Sequence, residues 1–217
     1  IYGIAAVLPR AINILLVKLH TNTLSSEKYA ENTLYFVYAA YLNSILTFGM
    51  ETAFFRFFTK EKEKGKVIST TFYSILTVTL VFLVLSLYYS EELSTYFGFG
   101  HPIYLQILIF VTALDTLVVV PFAYLRVTNR PIKFAAIKIL NILIYAIFNV
   151  LFLLFLPKYL EQGHNLGILE ETYQKYPLVI FIFLSNLIAS IITLLILSPI
   201  IFRFKITFDT VLLRKML

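Results

Sequence analysis

The chain is 217 residues long, with 59% hydrophobic residues, 14% charged residues and a formal net charge of +6. Soluble globular domains carry about 25% charged residues, so this composition excludes an ordinary water-soluble protein and indicates one that folds in lipid. Cysteine is absent, which excludes a disulfide framework, a thiolate metal site and a cysteine nucleophile.

Long apolar blocks divide the chain, and each is long enough to cross the ~30 Å hydrocarbon core of a bilayer. In chain order they predict six transmembrane helices: Ile1–His20, Asn32–Phe58, Val67–Ser90, Tyr104–Tyr124, Ile132–Leu156 and Leu178–Phe202. The connections between them are short and leave no room for a soluble catalytic domain. The predicted fold class is therefore all-α integral membrane, a six-transmembrane-helix bundle.

The end of the chain, residues 203–217, mixes apolar residues with charges. Asp209 is of a residue type favoured at helix N-caps, so we expect a short helix to begin beside it. This mixed composition is typical of an amphipathic helix at the membrane interface rather than of a seventh span. The sequence thus divides into a six-helix transmembrane lobe, residues 1–202, and an interfacial segment, residues 203–217.

Lysine and arginine lie beside alternate connections of the predicted bundle. They cluster near the second connection, near the fourth and at the end of the chain: Lys60, Lys62, Lys64 and Lys66; Arg126, Arg130 and Lys133; Arg203, Lys205, Arg214 and Lys215. Because cytoplasmic loops are enriched in these residues, both termini are expected in the cytoplasm. Basic residues at membrane ends indicate anionic lipid as a partner, and nucleic acid is not expected.

Polar residues recur at helical spacing on several predicted spans. The first span carries Arg10 and Asn13, the second Asn43, Thr47 and Glu51, the fourth Thr112 and Asp115, the fifth Lys138, Asn141, Tyr145 and Asn149, and the sixth Asn186, Ser190 and Thr193. One polar residue in a membrane helix commonly serves packing, but aligned residues on several helices indicate a polar interior. We therefore predict a cavity lined by these residues.

Four ionisable residues lie deep in the predicted spans: Arg10, Glu51, Asp115 and Lys138. Each costs roughly 2.5–3.5 kcal/mol on insertion scales, so it faces a wet cavity or forms a buried ion pair that only locks helices together. We predict that Asp115 and Lys138 lie at similar depth and pair. Arg10 and Lys138 favour an anionic cargo, whereas Arg126, near a cytoplasmic end, is expected to extend to the interface.

Motifs that would support an enzyme are absent from the sequence. No two histidines stand at the i, i+4 spacing of a helical metal site, and no glycine-rich loop could hold a phosphate. We expect no metal, no cofactor and no catalysis. A membrane glycosyltransferase or polymerase would bring a large extracytoplasmic loop or clustered carboxylates, and the connection Pro157–Pro177 is modest.

Four segments resemble one known family. They are the first span, with Pro9-Arg10 and Asn13; the run FGMETAFFRFF at residues 48–58; Asp115–Arg130; and Lys138–Asn149. In these segments the chain resembles the polysaccharide-biosynthesis flippases of the MATE-like multidrug/oligosaccharidyl-lipid/polysaccharide exporter superfamily. That superfamily includes O-antigen, capsule and lipid II flippases, and the chain is most similar to Bacteroidetes forms.

The resemblance implies the N-terminal lobe of a two-lobe transporter of the bacterial inner membrane, with the second lobe of the same protein as a partner. It implies a flippase that moves undecaprenyl-diphosphate-linked oligosaccharide by alternating access, with membrane lipid and a coupling proton or sodium ion as further partners. Arg10 matches the family's cavity arginine, which engages the lipid-linked diphosphate. The candidate cavity residues are Arg10, Asn13, Asn43, Glu51, Asp115, Lys138, Asn141, Asn149 and Asn186.

Two other functions stay open on the sequence alone. An ion-coupled drug or metabolite antiporter of the same fold would use Glu51 and Asp115 for proton or sodium exchange. A non-transporting membrane subunit would use the polar stripes only for helix packing.

The alternation of basic residues predicts which connections face the cytoplasm. Ser26→Cys and Gly65→Cys would each introduce a unique thiol, since the chain has no cysteine. A membrane-impermeant maleimide applied to intact cells should label the thiol at residue 26 and spare the one at residue 65. Labelling of both from outside would contradict the topology.

Overall fold

The computed structural model describes the backbone of residues 2–162 and 166–217, and the side chains of residues 7–162 and 166–217. Ile1, the predicted start of the first span, and residues 163–165 of the predicted last connection lie outside the described residues. The helices are α1 (Tyr2–Thr23), α2 (Ser26–Thr47), α3 (Met50–Lys60), α4 (Lys64–Tyr88), α5 (Ser90–Tyr96), α6 (Pro102–Leu117), α7 (Val119–Val127), α8 (Pro131–Val150), α9 (Leu156–Glu161), α10 (Ile168–Lys175), α11 (Val179–Ile201) and α12 (Thr210–Met216).

Four helical segments of the described chain are long and apolar enough to cross a membrane. They are Lys64–Tyr88, Pro102–Val127, Pro131–Glu161 and Val179–Ile201. Since the described residues contain no strand, the chain is an all-α protein with the composition of a multi-pass membrane protein. The count of six spans stays a prediction, with α1 and α2 in the places of the first two.

The predicted second span, Asn32–Phe58, is two helices rather than one. The backbone turns into the left-handed region at Phe48 (φ 33°) and Gly49 (φ 75°), so α2 ends and α3 begins. The predicted continuous helix is therefore wrong at this point. Glycine adopts a positive φ without the Cβ clash that other residues meet, which permits the break here.

Proline explains two further interruptions. Between α6 and α7 the helix breaks at Val118, and Pro121 supplies no N–H for the carbonyl of Leu117. Between α8 and α9 the helix widens into a π-helical segment, Leu151–Phe155. There Pro157 cannot bond the carbonyl of Leu153, and a local π turn accommodates the missing hydrogen bond.

Helix α6 lies at the centre of the bundle and packs against α2, α4 and α11. The aromatic side chains of Tyr35, Tyr104 and Phe183 are fully buried there, and the ring of Tyr35 stacks on that of Phe183 with centroids 3.9 Å apart. Large aliphatic side chains such as Leu80 and Leu195 point outward and are exposed. Such a surface suits hydrocarbon rather than water.

A second apolar core joins α3, α4, α7 and the chain after α11. There the carboxylate of Asp209 accepts hydrogen bonds from the backbone N–H groups of Val211 and Leu212, at 3.0 and 2.9 Å. The predicted N-cap is thus confirmed. Leu212 and Met216 are buried while Val211 is exposed, so α12 is amphipathic and packs on the bundle by its apolar face.

The break at Gly49 generates a prediction about stability. Gly49→Ala should lower the free energy of unfolding by about 1–2 kcal/mol, because alanine is strained at a positive φ. Thermal unfolding in detergent measures the effect. Gly65→Ala is the matched control, because Gly65 lies in α4 with open space where the added methyl group would lie, and this variant should be neutral or stabilised. Equal melting temperatures for both variants would contradict the assignment.

Candidate functional site

A polar cavity of about 340 Å³ lies between the halves of the two broken helices and α8 and α11. Its polar lining comprises Asn43, Glu51, Asp115, Arg126, Lys138, Asn141 and Thr193, and its apolar lining comprises Val118, Val119, Phe122 and Phe134. Five of the nine candidate residues predicted from the sequence line this cavity: Asn43, Glu51, Asp115, Lys138 and Asn141. Ionisable groups therefore meet in one space, as the polar stripes predict.

Glu51 and Arg126 form an ion pair across the cavity, between α3 and α7. The Arg126 guanidinium also lies 4.7 Å from the ring centroid of Phe55 and 5.5 Å from that of Phe134. Arg126 was expected to extend to the membrane interface, and this expectation is wrong. An opposite charge and two aromatic faces stabilise the guanidinium inside the bundle.

Asp115 and Lys138 line the same cavity but do not form the predicted ion pair. Within the described residues, no carboxylate oxygen lies within 4.0 Å of the Lys138 ammonium. Instead, the hydroxyl of Ser190 donates a hydrogen bond to the Asp115 carboxylate at 2.7 Å. The Lys138 ammonium lies 4.3 Å from the ring centroid of Phe122. Each charge thus has a neutral partner, and both remain available to a ligand.

The amide of Asn141 is oriented by α11. Its Nδ2 donates a hydrogen bond to the Thr193 hydroxyl at 2.9 Å, and that hydroxyl donates to the Ala189 carbonyl at 2.8 Å. Because the amide nitrogen is engaged in this way, the carbonyl oxygen of Asn141 is the end that can accept from a ligand. The cavity therefore offers an oriented hydrogen-bond acceptor beside its charges.

The formal charges of the polar cavity cancel. Glu51 and Asp115 contribute two negative charges, and Arg126 and Lys138 contribute two positive ones. An excess of cations is therefore absent from this lining, although Lys138 by itself favours an anion. The arrangement suits a ligand that brings one anionic group to Lys138 and neutral hydroxyls to the amide and hydroxyl side chains.

The other four candidate residues lie elsewhere. Arg10 is exposed on α1 and does not line the polar cavity, and Asn186 is partly buried on α11 outside that lining. Asn13 lines a second cavity of about 290 Å³ between α1, α2 and α8. Asn149 is fully buried and accepts a hydrogen bond from His20 Nε2 at 2.8 Å. These four residues thus do not share the polar cavity with the other five, and a role for them in cargo binding stays a prediction.

Asn149 has a packing role. Its Nδ2 donates to the Tyr145 carbonyl at 2.8 Å, which fixes the amide with its oxygen toward His20. Both hydrogen-bonding ends of the side chain are thereby satisfied within the bundle. The helical spacing that predicts Asn149 on one face with Lys138 is correct for α8, but the helix is long enough to reach two separate cavities.

Sequence reasoning missed the partners of the charged groups. Ser190 and Thr193 belong to a recognised polar stripe, yet their specific partners depend on how α11 is rotated against α6 and α8. Phe122 and Phe134 read as ordinary apolar residues. Their cationic partners lie on the neighbouring helix, Lys138 of α8 over Phe122 of α7 and Arg126 of α7 over Phe134 of α8, so spacing along one helix gives no signal of these contacts.

Comparisons with protein-family models, curated proteins and solved structures found no match to the chain.

The Glu51–Arg126 ion pair predicts a stability change. Glu51→Gln should lower the free energy of unfolding by about 1–2 kcal/mol, below the ~3–5 kcal/mol of a fully buried pair, because both side chains are partly exposed. Glu63→Gln is the matched control. It removes the carboxylate from the surface pair with Lys66 and should change stability by less than Glu51→Gln does, because solvent screens an exposed pair.

Thermal unfolding in detergent distinguishes the two variants. The exchange of charges, Glu51→Arg with Arg126→Glu, should recover part of the lost stability. If Glu51→Gln has no larger effect than Glu63→Gln, the pair does not stabilise the packing of α3 on α7.

Proposed function

We propose that the chain forms one lobe of a flippase that moves undecaprenyl-diphosphate-linked oligosaccharide across the bacterial inner membrane. The observation that supports the proposal best is the polar cavity itself. Charged, amide and hydroxyl groups converge inside a bundle whose outer surface is apolar. A protein that served only as an anchor would not need to hold four ionisable groups in one open cavity.

Lys138 is the group that we assign to the cargo phosphate. Its ammonium is held by the face of Phe122 rather than by a carboxylate, so a phosphate oxygen can approach without displacing an ion partner. An ammonium binds phosphate as a point charge with rotatable donors. The neighbouring Asn43, Asn141 and Thr193 provide hydrogen-bonding groups for sugar hydroxyls.

Arg10 fits this proposal from outside the polar cavity. It is exposed on α1, and α1 packs against α8, the helix that carries Lys138. In a two-lobe transporter, an exposed cation on such a helix would face the path between the lobes. Arg10 would then meet the diphosphate together with the second lobe, and no bond of the cargo would be made or broken.

Asp115 favours a second candidate function, an ion-coupled antiporter. Its carboxylate is held by the Ser190 hydroxyl, and among the described residues no cation lies within 4.0 Å of it. A carboxylate in a wet intramembrane cavity can exchange a proton or bind sodium. Such a protein would export a small cationic or neutral compound and would not require Lys138 for cargo binding.

The flippase proposal predicts a specific loss in cells. Lys138→Gln in the chromosomal gene should lower surface polysaccharide by roughly tenfold or more, because hydrogen bonds to charged groups contribute about 1.5–3 kcal/mol. Lipid-linked oligosaccharide should accumulate inside the cell, and the amount of protein in the membrane should stay near normal. Mass spectrometry of extracted lipids and quantitative immunoblotting measure the three quantities.

Lys133→Gln is the matched control for this experiment. Lys133 is exposed on the same helix and does not line the polar cavity, so its variant should export normally. Normal polysaccharide in the Lys138 variant would refute the assignment. If deletion of the gene leaves polysaccharide intact and sensitises cells to toxic compounds, the antiporter is favoured.

A further inference from the structure

We propose that a basic pocket at the opposite side of α7 from the polar cavity binds the phosphate headgroup of an anionic membrane lipid. The basic pocket has a volume of about 160 Å³. Three cations surround it: Arg130, Arg203 and Lys205. They come from the turn before α8 and from the chain after α11, so two separate connections supply the charge.

The basic pocket contains uncompensated positive charge. Its lining includes no carboxylate, and none of the three cations lies within 4.0 Å of an acidic oxygen in the described part of the chain. The polar cavity differs, because its charges cancel. Three unpaired cations around one small space repel one another, and an anion between them relieves that repulsion.

The local fold holds these cations in place. Phe204 is buried, with its ring 5.4 Å from that of Phe72 and 6.0 Å from that of Tyr124, both edge-on. Arg203 and Lys205 flank this anchored residue and are exposed. On the other side, the Arg130 N–H donates to the Leu125 carbonyl at 2.9 Å. Packing of Phe204 and the hydrogen bond of Arg130 therefore fix the backbone that carries the three cations.

A buried hydroxyl gives a second, independent indication of a ligand. Ser69 is fully buried and lines the basic pocket, yet its Oγ has no hydrogen-bond partner among the described residues. On the same helix, Thr71 and Ser74 donate to the carbonyls of Val67 and Thr70, at 2.8 and 2.7 Å. An unsatisfied buried hydroxyl is destabilising, and a phosphate oxygen would accept a hydrogen bond from it.

The remaining lining indicates a lipid rather than a free anion. Ile68, Ile200 and Phe204 form an apolar wall beside the cations. The basic pocket lies where two candidate spans meet their connections, near the start of α4 and the end of α11. Basic pockets between membrane helices on the cytoplasmic side are typical binding sites for anionic headgroups. A phosphate with attached acyl chains therefore matches both parts of the lining.

A tryptophan reporter tests this site, because the chain contains no tryptophan. Tyr124→Trp places a single indole at the basic pocket, and Ile200→Trp supplies a second, independent reporter. The full chain is reconstituted in phosphatidylcholine bilayers that contain either brominated phosphatidylglycerol or brominated phosphatidylcholine. The anionic lipid should quench the indole at a mole fraction lower by roughly tenfold or more, as expected for several basic residues acting together.

Neutralising the site should remove this preference. In the reporter background, Arg130→Gln, Arg203→Gln and Lys205→Gln together should reduce the preference for phosphatidylglycerol to near unity. The matched control is Lys60→Gln, Lys62→Gln and Lys215→Gln. It removes the same charge from a neighbouring surface that also carries Glu61, Glu63 and Asp209, and it should retain the preference. Circular dichroism checks that both triple variants remain helical.

Three outcomes would overturn the proposal. The reporter could show no preference between the two brominated lipids, or both triple variants could lose the preference equally, which would indicate general surface charge. Inorganic phosphate, compared with chloride at equal ionic strength, could abolish quenching by phosphatidylglycerol, which would indicate a site for the free anion. The result does not depend on transport, so the lipid site and the proposed flippase function can fail separately.

Discussion

Compensation of charge inside an apolar bundle is the constraint on which the polar cavity depends. An ionised side chain at membrane depth is costly unless it meets an opposite charge, a hydrogen-bond donor or water. Glu51 and Arg126 meet this requirement by pairing directly, which joins α3 to α7. Asp115 meets it through a hydroxyl of α11, and Lys138 through an aromatic face of α7. The Glu51–Arg126 pair therefore stabilises the fold, while the charges of Asp115 and Lys138 remain available to a ligand.

The interruptions of the helices are as important as the charges. Asn43 and Glu51 lie on either side of the left-handed residues 48 and 49, and Asp115 and Arg126 lie on either side of the break at Val118. Non-helical backbone at membrane depth is tolerated where it is buried in protein or lines a water-filled cavity. The break at Val118 interrupts the candidate span Pro102–Val127, and both breaks adjoin the polar cavity, so the backbone and the side chains support the same location for the site.

The sequence predicts the helices better than it predicts their partners. Leu178–Phe202 agrees with α11 within one residue at each end, and the N-cap at Asp209 is confirmed, because hydropathy and capping are local properties. The break at Gly49 is not evident, since single glycines are frequent in membrane helices. The positions of Asp115 and Lys138 along their helices predict a similar depth in the bundle, and both residues do line the polar cavity. Whether they touch depends on helix rotation and on competing partners such as Ser190, which spacing alone does not reveal.

The two charged regions should influence anions over different distances. In the polar cavity, opposite charges lie within one small space, so their fields largely cancel at distances greater than the separation of the charges. In the basic pocket, three cations act with the same sign and are not cancelled locally. Under the proposed function, the polar cavity would recognise its cargo by contact and release it readily. Attraction of anionic lipid from the surrounding membrane would then depend on the basic pocket, because only uncompensated charge acts before contact.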